Sequence, residues 1–435
     1  MVSRATIAGG ACVSLVLLAL AACYPAQERD VETAEPTSPA TSAADVQRSF
    51  IYGRITDGDG ATYEGRLRWG RDQEAFWGDY FNGLKEGNPW ALYSPLARPS
   101  NEGNSIEIFG FKLGGDGQPN NLRRLFMARF GDVARVEAHF RKVEVTLKSG
   151  TVFTLDRFAA GDVDDGVRVW DGKRGVVDLD TRQIRTIEFL ATAPPASAPN
   201  RLYGTVQTRQ GAFSGFIQWD EYDGVGTDEL DGRTTNGEVR LRYDTIRSIA
   251  RHSGDSARVT LLDGRELILT GTRESGSDNR GIYVDDLRYG RVLISWKAFE
   301  RLDFSAGGSG PAYSDFPPGR ALAGSVATRD GRRLSGRLVY DLDESETTET
   351  LDAALEGVDY NIPFSLITSI VPRGHDSTAG RATVILHDGQ PLHLELTGDL
   401  GEKNAGILIF VDGRERPEYV PWSDVEQIDF ESAGR

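Results

Sequence analysis

The chain has 435 residues, of which 39% are hydrophobic and 26% charged, the composition of a globular protein long enough for two or three packed cores. With 65 acidic residues against 49 basic ones, the net charge is −16, which argues against nucleic acid or anionic lipid as a general partner. Only two cysteines occur, Cys12 and Cys23, too few for a disulfide-based scaffold.

Residues 1–22 are typical of a secretory signal peptide. Arg4 gives a positive start, and the apolar run that follows, Ala11 to Ala22, is shorter than the about 20 residues that a membrane-spanning helix needs. The run ends on Leu20-Ala21-Ala22-Cys23, which resembles the lipobox of bacterial lipoproteins at every position. The resemblance implies cleavage before Cys23 and a diacylglyceryl group on its thiol, usually with a further acyl chain such as palmitate on the new amino group.

This anchor predicts a place in the bacterial cell envelope, since two or more acyl chains hold a protein stably at a membrane. Position 24 is tyrosine rather than the aspartate that retains many enteric lipoproteins in the inner membrane, which favours the periplasmic face of the outer membrane. Residues 23–47 are rich in Ala, Pro, Ser, Thr and Glu and predict a disordered tether. Because cleavage discards Cys12 and the lipid occupies Cys23, we expect no disulfide and no thiol nucleophile.

From residue 48 onward the chain contains an internal repeat. Three segments open with a glycine, reach a turn glycine seven residues later and continue through another glycine to an aromatic residue. These residues are Gly53, Gly60, Gly65 and Trp69, then Gly204, Gly211, Gly215 and Trp219, and finally Gly324, Gly331, Gly336 and Tyr340. Apolar residues at every second place on both sides of the turn predict a β-hairpin at the start of each repeat.

Each half of a repeat ends with apolar residues at three-residue steps, such as Phe130, Val133 and Val136, and this pattern predicts a single-turn helix leading into a strand. The pattern recurs from Tyr243, Trp296, Phe364 and Trp422. Hairpin-rich units of about 50 residues predict an all-β fold of three tandem repeats, each of two small barrel-like β units. They resemble the SH3-like and Sm-like small β-barrels, a resemblance that implies a fold and no functional residue.

Two Pro- and Gly-rich segments, 193–199 and 305–319, predict linkers between the repeats. The predicted organisation is therefore a signal peptide (1–22), a tether (23–47) and β repeats at 48–192, 200–305 and 319–432. The first repeat is longer than the others by about 36 residues, which indicates an insert near 84–120.

The insert and the strand before it hold the densest aromatic residues of the chain. Trp77, Tyr80, Trp90 and Tyr93 are candidate ligand-binding residues because flat rings stack on sugars. The alternative is that the rings pack the insert against the fold, as aromatic residues usually do. An insertion that breaks a repeat is still the first place to look for function.

Acidic clusters follow the first aromatic residue of the second and third repeats. They are Asp220, Glu221, Asp223, Asp228, Glu229 and Asp231, and Asp341, Asp343, Glu344, Glu346 and Glu349. Their spacing lacks the glycine and terminal glutamate of a calcium loop, which favours solvated hairpin edges protected by charge. The histidines, His139, His252, His375, His387 and His393, do not converge with cysteines as a zinc site requires. We expect no metal and no cofactor.

Motifs for catalysis are missing from the sequence, although a carboxylate pair brought together by folding stays open. We therefore expect a non-catalytic envelope lipoprotein whose repeats present a binding or scaffolding surface to a protein partner, with the membrane engaged through the lipid and no nucleic acid partner. One alternative is a glycan- or peptidoglycan-binding lipoprotein that uses the aromatic insert. The other is a glycan-acting hydrolase with an unrecognised carboxylate pair.

Overall fold

The structure, a computed structural model, describes residues 48–70, 73–93, 106–108, 111–113, 124–157, 166–192, 200–308, 310–372 and 380–431. The predicted signal peptide, Cys23, the tether and His375 lie outside the described residues. Within them the protein is all-β, as predicted, with antiparallel strands in several sheets and no helix longer than five residues. None of the helices described is long and apolar enough to cross a membrane.

The strands fall into three stretches of the chain. The first stretch (48–192) contains β1 (Tyr52–Asp57), β2 (Thr62–Trp69), β3 (Tyr80–Leu84), β4 (Ile106–Ile108), β5 (Phe111–Leu113), β6 (Leu125–Arg129), β7 (Val133–Ala138), β8 (Lys142–Leu147), β9 (Val152–Asp156), β10 (Val167–Asp171), β11 (Gly175–Leu179) and β12 (Ile184–Phe189). The second stretch (200–305) contains β13 (Tyr203–Thr208), β14 (Gly211–Trp219), β15 (Glu229–Thr234), β16 (Gly237–Arg242), β17 (Ile246–Ser253), β18 (Ser256–Leu261), β19 (Glu266–Thr270), β20 (Ile282–Asp286), β21 (Gly290–Ile294) and β22 (Phe299–Phe304). The third stretch (319–431) contains β23 (Ala323–Thr328), β24 (Arg333–Val339), β25 (Thr350–Leu355), β26 (Val358–Pro363), β27 (Ile367–Val371), β28 (Ala382–Leu386), β29 (Pro391–Leu394), β30 (Ile407–Phe410), β31 (Glu418–Val420) and β32 (Val425–Phe430).

Short 3-10 helices separate some of these strands. They are Pro89–Tyr93, Phe130–Asp132, Tyr243–Thr245, Arg273–Ser275, Tyr313–Asp315, Phe364–Leu366, Gly398–Leu400 and Trp422–Asp424. Those that begin at Phe130, Tyr243, Phe364 and Trp422 lead directly into a strand, which confirms the predicted single-turn helices at these places. The helix predicted from Trp296 is absent, and residues 296–298 form a hydrogen-bonded turn instead. In each of the four helices, the backbone N–H of the first strand residue donates to the carbonyl of the aromatic residue and closes the turn.

The same order of strand pairing recurs in the three stretches. The sheet of the first stretch runs β11-β10-β2-β1-β12-β7-β8-β9, and the third has the matching order β31-β30-β24-β23-β32-β27-β28-β29. The second contributes β21-β20-β14-β13-β22-β17-β18-β19 to a 12-stranded sheet. Strands from both halves of a stretch thus lie side by side in one sheet, whereas the sequence suggested one small unit from each half. The reason is that the last strand of each stretch pairs with the first.

The glycines that mark the repeat lie where strands approach closely. A Cβ atom on Gly65 would overlap the carbonyl oxygen of Trp170 on β10, and Gly215 and Gly336 face the equivalent carbonyls of β20 and β30 in the same way. The turn residue Gly60 has a φ of +84°, in the left-handed region that favours glycine. The repeated glycines therefore follow from the geometry of the opening hairpin and of its neighbour in the sheet.

The insert of the first stretch extends the hairpin of β3 and β6, which pair with each other. In the other stretches only residues 235–236 and 356–357 join the equivalent strands, β15 to β16 and β25 to β26. In the first stretch the connection is 85–124, which includes the helix Pro89–Tyr93 and the pair β4–β5. The chain therefore departs from an otherwise regular hairpin at Leu84 and rejoins it at Leu125.

The hydrophobic core has two main parts. One cluster fills the first stretch and also takes in Phe216 from the second stretch and Phe316 from the segment between the second and third. A single cluster runs through the second and third stretches. Strand β21 also pairs with β26, so backbone hydrogen bonds join these two stretches across one sheet.

Candidate binding surface

Two of the four candidate ligand-binding aromatic residues are buried. Trp77 is 7% exposed and Tyr80 is 2% exposed. The Trp77 indole N–H donates to the carbonyl of Asp285 in the second stretch (3.4 Å), and the Arg291 guanidinium lies 4.9 Å from the centroid of the Tyr80 ring. Trp77 and Tyr80 therefore attach the first stretch to the second and offer no open face to a sugar.

Trp90 and Tyr93 lie on the 3-10 helix of the insert and contact the third stretch. Their ring centroids are 5.8 Å and 6.1 Å from that of Phe410, both in edge-to-face geometry. Nearby, the Asn88 amide donates to the carbonyl of Leu342 (2.8 Å). Of the four candidates, only Tyr93 keeps a large exposed fraction, 43%. The four rings do not form one surface, and packing accounts for most of them.

A buried ion network joins both ends of the insert to the third stretch. The Lys85 ammonium group donates to Asp343 (2.8 Å) and Glu349 (2.9 Å). At the other end, the Arg124 guanidinium lies 3.2 Å from a carboxylate oxygen of Asp341. Burial lowers the pKa of Lys85, but the neighbouring carboxylates outweigh this effect and raise that pKa above its usual value. The lysine is therefore charged although it is enclosed.

Carboxylates outnumber cations in this network. Burial, partly offset by hydrogen bonds and by Arg124, raises the pKa of Asp341 to about 7, and burial raises the pKa of Asp352 to about 6. The pKa values of Glu344 and Asp399 are raised well above their usual range, first by burial and then by the neighbouring acids. The acids of this network therefore bind protons at higher pH than exposed carboxylates do.

The prediction that the acidic clusters form solvated hairpin edges is wrong for several of their members. Asp220, Asp341 and Glu349 are buried. The physical reason is that tight turns need acceptors for their backbone N–H groups. Glu349 accepts hydrogen bonds from the backbone of Ser345 (2.6 Å) and Glu346 (3.0 Å). Glu349 thus holds the turn after the opening hairpin, whereas Asp220 and Asp341 accept the backbone N–H groups of the distant residues Arg280 and Ala405.

The equivalent turns of the other stretches are held in the same way. Asp228 accepts two backbone N–H groups, from residues 224 and 225, at 3.0 Å each. Asp79 accepts those of residues 74 and 75 at 2.8 and 2.7 Å. The sequence reasoning missed Asp79 as a structural acid, although it follows Trp69 by about the interval that separates Asp228 from Trp219.

The histidines within the described residues, His139, His252, His387 and His393, are all exposed. His139 lies 3.6 Å from Glu144, and His387 and His393 are each within hydrogen-bond distance of a threonine hydroxyl. In the part of the chain that the structure describes, no group of three or more His, Cys, Asp or Glu side chains is arranged to hold a metal ion.

Each stretch has an outer face, which we define as the side of its β2-β10-β11, β14-β20-β21 or β24-β30-β31 strands that points away from the core. In the second stretch the first stretch covers this face. The Gln218 amide donates to the carboxylate of Asp79, and the Arg291 guanidinium is 3.7 Å from the ring centroid of Tyr283 while it also approaches Tyr80. Gln218 is buried by these contacts.

The first stretch also covers the outer face of the third. Val339 and Leu408 are fully buried there and pack with Trp90 and Phe410. The Arg337 guanidinium lies over the Phe410 ring, 3.9 Å from its centroid. A single segment, residues 73–93, therefore closes the outer faces of both other stretches.

On the outer face of the first stretch, the described residues leave strands β10 and β11 without such cover, whereas the Arg66 side chain on β2 is enclosed and 11% exposed. Arg168 and Asp178 are exposed and form an ion pair of 2.7 Å, and Val176 is 59% exposed. The Nε atom of Arg68 is buried and has no hydrogen-bond partner in the described part of the chain. A hollow of about 330 Å³ is lined by Arg68, Gly70, Gly166, Val167, Arg168, Asp178 and Leu179.

Positive charge distinguishes this face. Arg66, Arg68 and Arg168 face two carboxylates, Glu74 and Asp178, since Arg66 lies 3.9 Å from Glu74 and 3.8 Å from the centroid of the Trp170 ring. Burial lowers the pKa of Arg66. Gly70 occupies the place that Asp220 and Asp341 hold in the other stretches, so the first stretch lacks that carboxylate. Arginines therefore outnumber carboxylates on this face, a balance that suits an acidic ligand.

We take this outer face as the candidate binding surface because it is exposed, contains a hollow and carries Arg68, whose Nε atom lacks a hydrogen-bond partner among the described residues. The strands of the repeat position its arginines, because Arg68 and Arg168 are opposite each other on the paired strands β2 and β10. Comparison of the chain with protein-family models, with curated proteins and with solved structures finds no match.

Proposed function

We propose that this chain is a non-catalytic lipoprotein of the bacterial cell envelope, held by a lipid on Cys23 at the periplasmic face of the outer membrane, whose first stretch binds an acidic segment of a protein partner. The observation that carries the proposal is the open outer face of that stretch. Residues 73–93 cover the equivalent face in both other stretches. Because a segment of the chain covers this face in the second and third stretches, we expect the open face of the first stretch to bind a polypeptide segment of another protein.

The contacts within the chain indicate what such a segment contains. Arg68 stands one residue before Trp69, as Gln218 stands before Trp219, and Gln218 holds the carboxylate of Asp79. An arginine at this position binds a carboxylate more strongly than an amide does, because it offers two parallel charged donors. We therefore expect the partner to place an Asp or Glu on Arg68.

The anchor is tested by Cys23→Ser in the full-length protein. Without the thiol no diacylglyceryl group can be attached, so the protein should disappear from washed membrane fractions. Cys12→Ser is the matched control and should leave the protein in the membrane fraction, because residue 12 lies before the cleavage site. Retention of the Cys23→Ser protein in membranes would contradict the proposed anchor.

The binding surface is tested by placing a photo-crosslinking residue at position 168 of the full-length protein in its native membrane. The control places the same residue at position 262, which is 58% exposed on a turn of the second stretch. We expect a discrete adduct with another protein from position 168 only, weakened by Arg68→Glu and unchanged by Arg258→Glu. Equal labelling from both positions, or labelling insensitive to Arg68→Glu, would overturn this binding surface.

A further inference from the structure

The second and third stretches are joined by a strand pair between neighbouring stretches. Strand β21, the outermost strand of the second stretch, pairs antiparallel with β26, the second strand of a hairpin in the third. Val292 is opposite Tyr360, and both side chains belong to the shared core. The chain thus contains one junction in which strands of two of its own repeats pair with each other.

The same two kinds of edge occur a second time, and there the described residues leave them unpaired. Strand β11 ends the sheet of the first stretch and β16 ends the 12-stranded sheet. In the described part of the chain, β11 pairs only with β10 and β16 only with β15. Both edges are accessible, since Val176 is 59% exposed and the Arg240 side chain 73% exposed. By contrast, the corresponding strands β6 and β31 contain no exposed residue.

The register of the existing junction can be transferred to these edges. Val177 pairs with β10 as Val292 pairs with β20, and Val239 pairs with β15 as Tyr360 pairs with β25. Val177 would therefore be opposite Val239. Both side chains are half-buried and pack on the cores of their own stretches, so they face the same side of a joined sheet.

The charged residues on the other side of these strands are compatible with the pairing. In the transferred register Asp178 is opposite Glu238, which alone would be repulsive. Each carboxylate, however, already pairs with an arginine on its own neighbouring strand, Asp178 with Arg168 at 2.7 Å and Glu238 with Arg233 at 2.9 Å. The joined sheet would thus carry a row of charges in which each acid is flanked by an arginine.

We infer that β11 of one copy pairs antiparallel with β16 of a second copy of this chain, in the register of the β21–β26 junction. The two edges end different sheets within one chain, so each copy offers one of each and the copies associate head to tail. Of the proposed function, this inference uses only the lipid anchor. A strand pair of about five residues is too small for a stable dimer in dilute solution, and the anchor supplies the local concentration.

The pairing is tested with cysteines in the full-length protein in membranes, because the lipid occupies the only cysteine of the mature chain. Val176→Cys and Arg240→Cys, carried by separate copies expressed together, would be directly opposite across the new pair. Opposite residues of an antiparallel pair have Cα atoms about 4.5–5.5 Å apart, within reach of a disulfide. Mild oxidation should therefore give a covalent dimer, and the double variant in one chain should give a ladder of multiples.

The matched control pairs Val176→Cys with Ile268→Cys, an exposed residue on β19 of the same second stretch, and should give no dimer. Glu238→Lys should increase the yield of the 176–240 crosslink, because it replaces the like charge opposite Asp178 by an opposite one. A yield no higher than that of the control, or a disulfide that closes within one chain of the double variant, would overturn the inference.

The outcomes separate this inference from the proposed function. An adduct from position 168 with another protein, without a 176–240 crosslink, supports partner binding and refutes self-association. A 176–240 crosslink with no foreign adduct at position 168 does the reverse.

Discussion

Lys85 lies where the insert leaves the first stretch, and its ammonium group is enclosed by two carboxylates 258 and 264 positions further along the chain. Enclosing charges is costly, and the cost is offset only while every partner is present. Nothing in the local sequence separates this lysine from an exposed one, because the acids that it meets belong to another stretch. Its role became visible only in the folded chain.

We expect Lys85→Met to lower the free energy of unfolding by about 3–5 kcal/mol, because it leaves Asp343 and Glu349 buried without their cation. Urea denaturation followed by tryptophan fluorescence measures the change. Lys142→Met is the matched control, since Lys142 pairs with Glu144 at the surface, and it should have little effect. Similar losses of stability in the two variants would show that the buried ion network of the insert contributes no more than a surface ion pair.

Asp223 accepts the Tyr243 hydroxyl at 3.0 Å, and burial, with the Glu274 carboxylate as the next cause, raises its pKa to about 7. The folded chain therefore keeps a proton that the unfolded chain releases near pH 4. Since the folded state binds more protons between about pH 4 and 7, this group makes the protein less stable as the pH rises through that window.

Asp223→Asn replaces the carboxylate by a neutral side chain of the same shape. At pH 8 we expect its free energy of unfolding to exceed that of the unmodified protein by about 2 kcal/mol, after allowance for partial exposure, and the difference to vanish toward pH 4. Denaturation curves at several pH values measure it. Asp263→Asn, on an exposed turn, should show no such gain at pH 8, and a pH-independent difference for Asp223→Asn would contradict the assigned pKa.

At the scale of single elements, the glycine after the opening turn decides how closely two strands approach. A Cβ atom on Gly215 would overlap the backbone carbonyl of Asp285, which belongs to the paired strand β20. Backbone cannot move aside as a flexible side chain can, so strands β14 and β20 would have to separate. The conformation of the residue itself is extended and needs no glycine.

We expect Gly215→Ala to destabilise the protein by about 3 kcal/mol, as overpacking against a fixed backbone does. Gly254→Ala is the matched control, because a Cβ atom there meets open space and the residue has no positive φ. That control should be neutral or slightly stabilising. Thermal unfolding of the two variants compares them directly, and equal melting temperatures would refute the steric argument.

Element type was predictable from the sequence, whereas the pairing of distant strands was not. Turn glycines, alternating apolar residues and apolar residues at three-residue steps are local signals, and they located the opening hairpins and four of the five single-turn helices predicted. The pairing of β2 with β10 depends on contacts about 100 residues apart that leave no periodic trace. The same limit applies to Arg68, whose neighbours on the outer face come from a distant strand. For Trp77 and Tyr80 the sequence left sugar binding and packing as alternatives, and only their burial in the folded chain decides for packing.

At the scale of the whole molecule, the second and third stretches share both a sheet and a core, while the first has a core of its own. The first stretch is attached by the contacts of residues 73–93, by Arg124 and Ser149, which contact the third stretch, and by the segment between the other two. There Lys148 donates to the carbonyl of Phe316 (3.0 Å), and the Tyr313 hydroxyl donates to the carbonyl of Val133 (2.9 Å). We therefore expect two units of local unfolding rather than three.

Ile428→Ala and Ile187→Ala test this division, because the two residues hold equivalent places on the last strands, opposite Val326 and Ile55. Each should cost about 2–5 kcal/mol as a buried truncation. Under hydrogen exchange, Ile428→Ala should lower the protection of β17–β18 in the second stretch as well as that of the third, since one core links them. Ile187→Ala should lower protection in the first stretch and leave β17–β18 unchanged. Loss confined to the third stretch in Ile428→Ala would mean that the continuous sheet does not make the two stretches one cooperative unit.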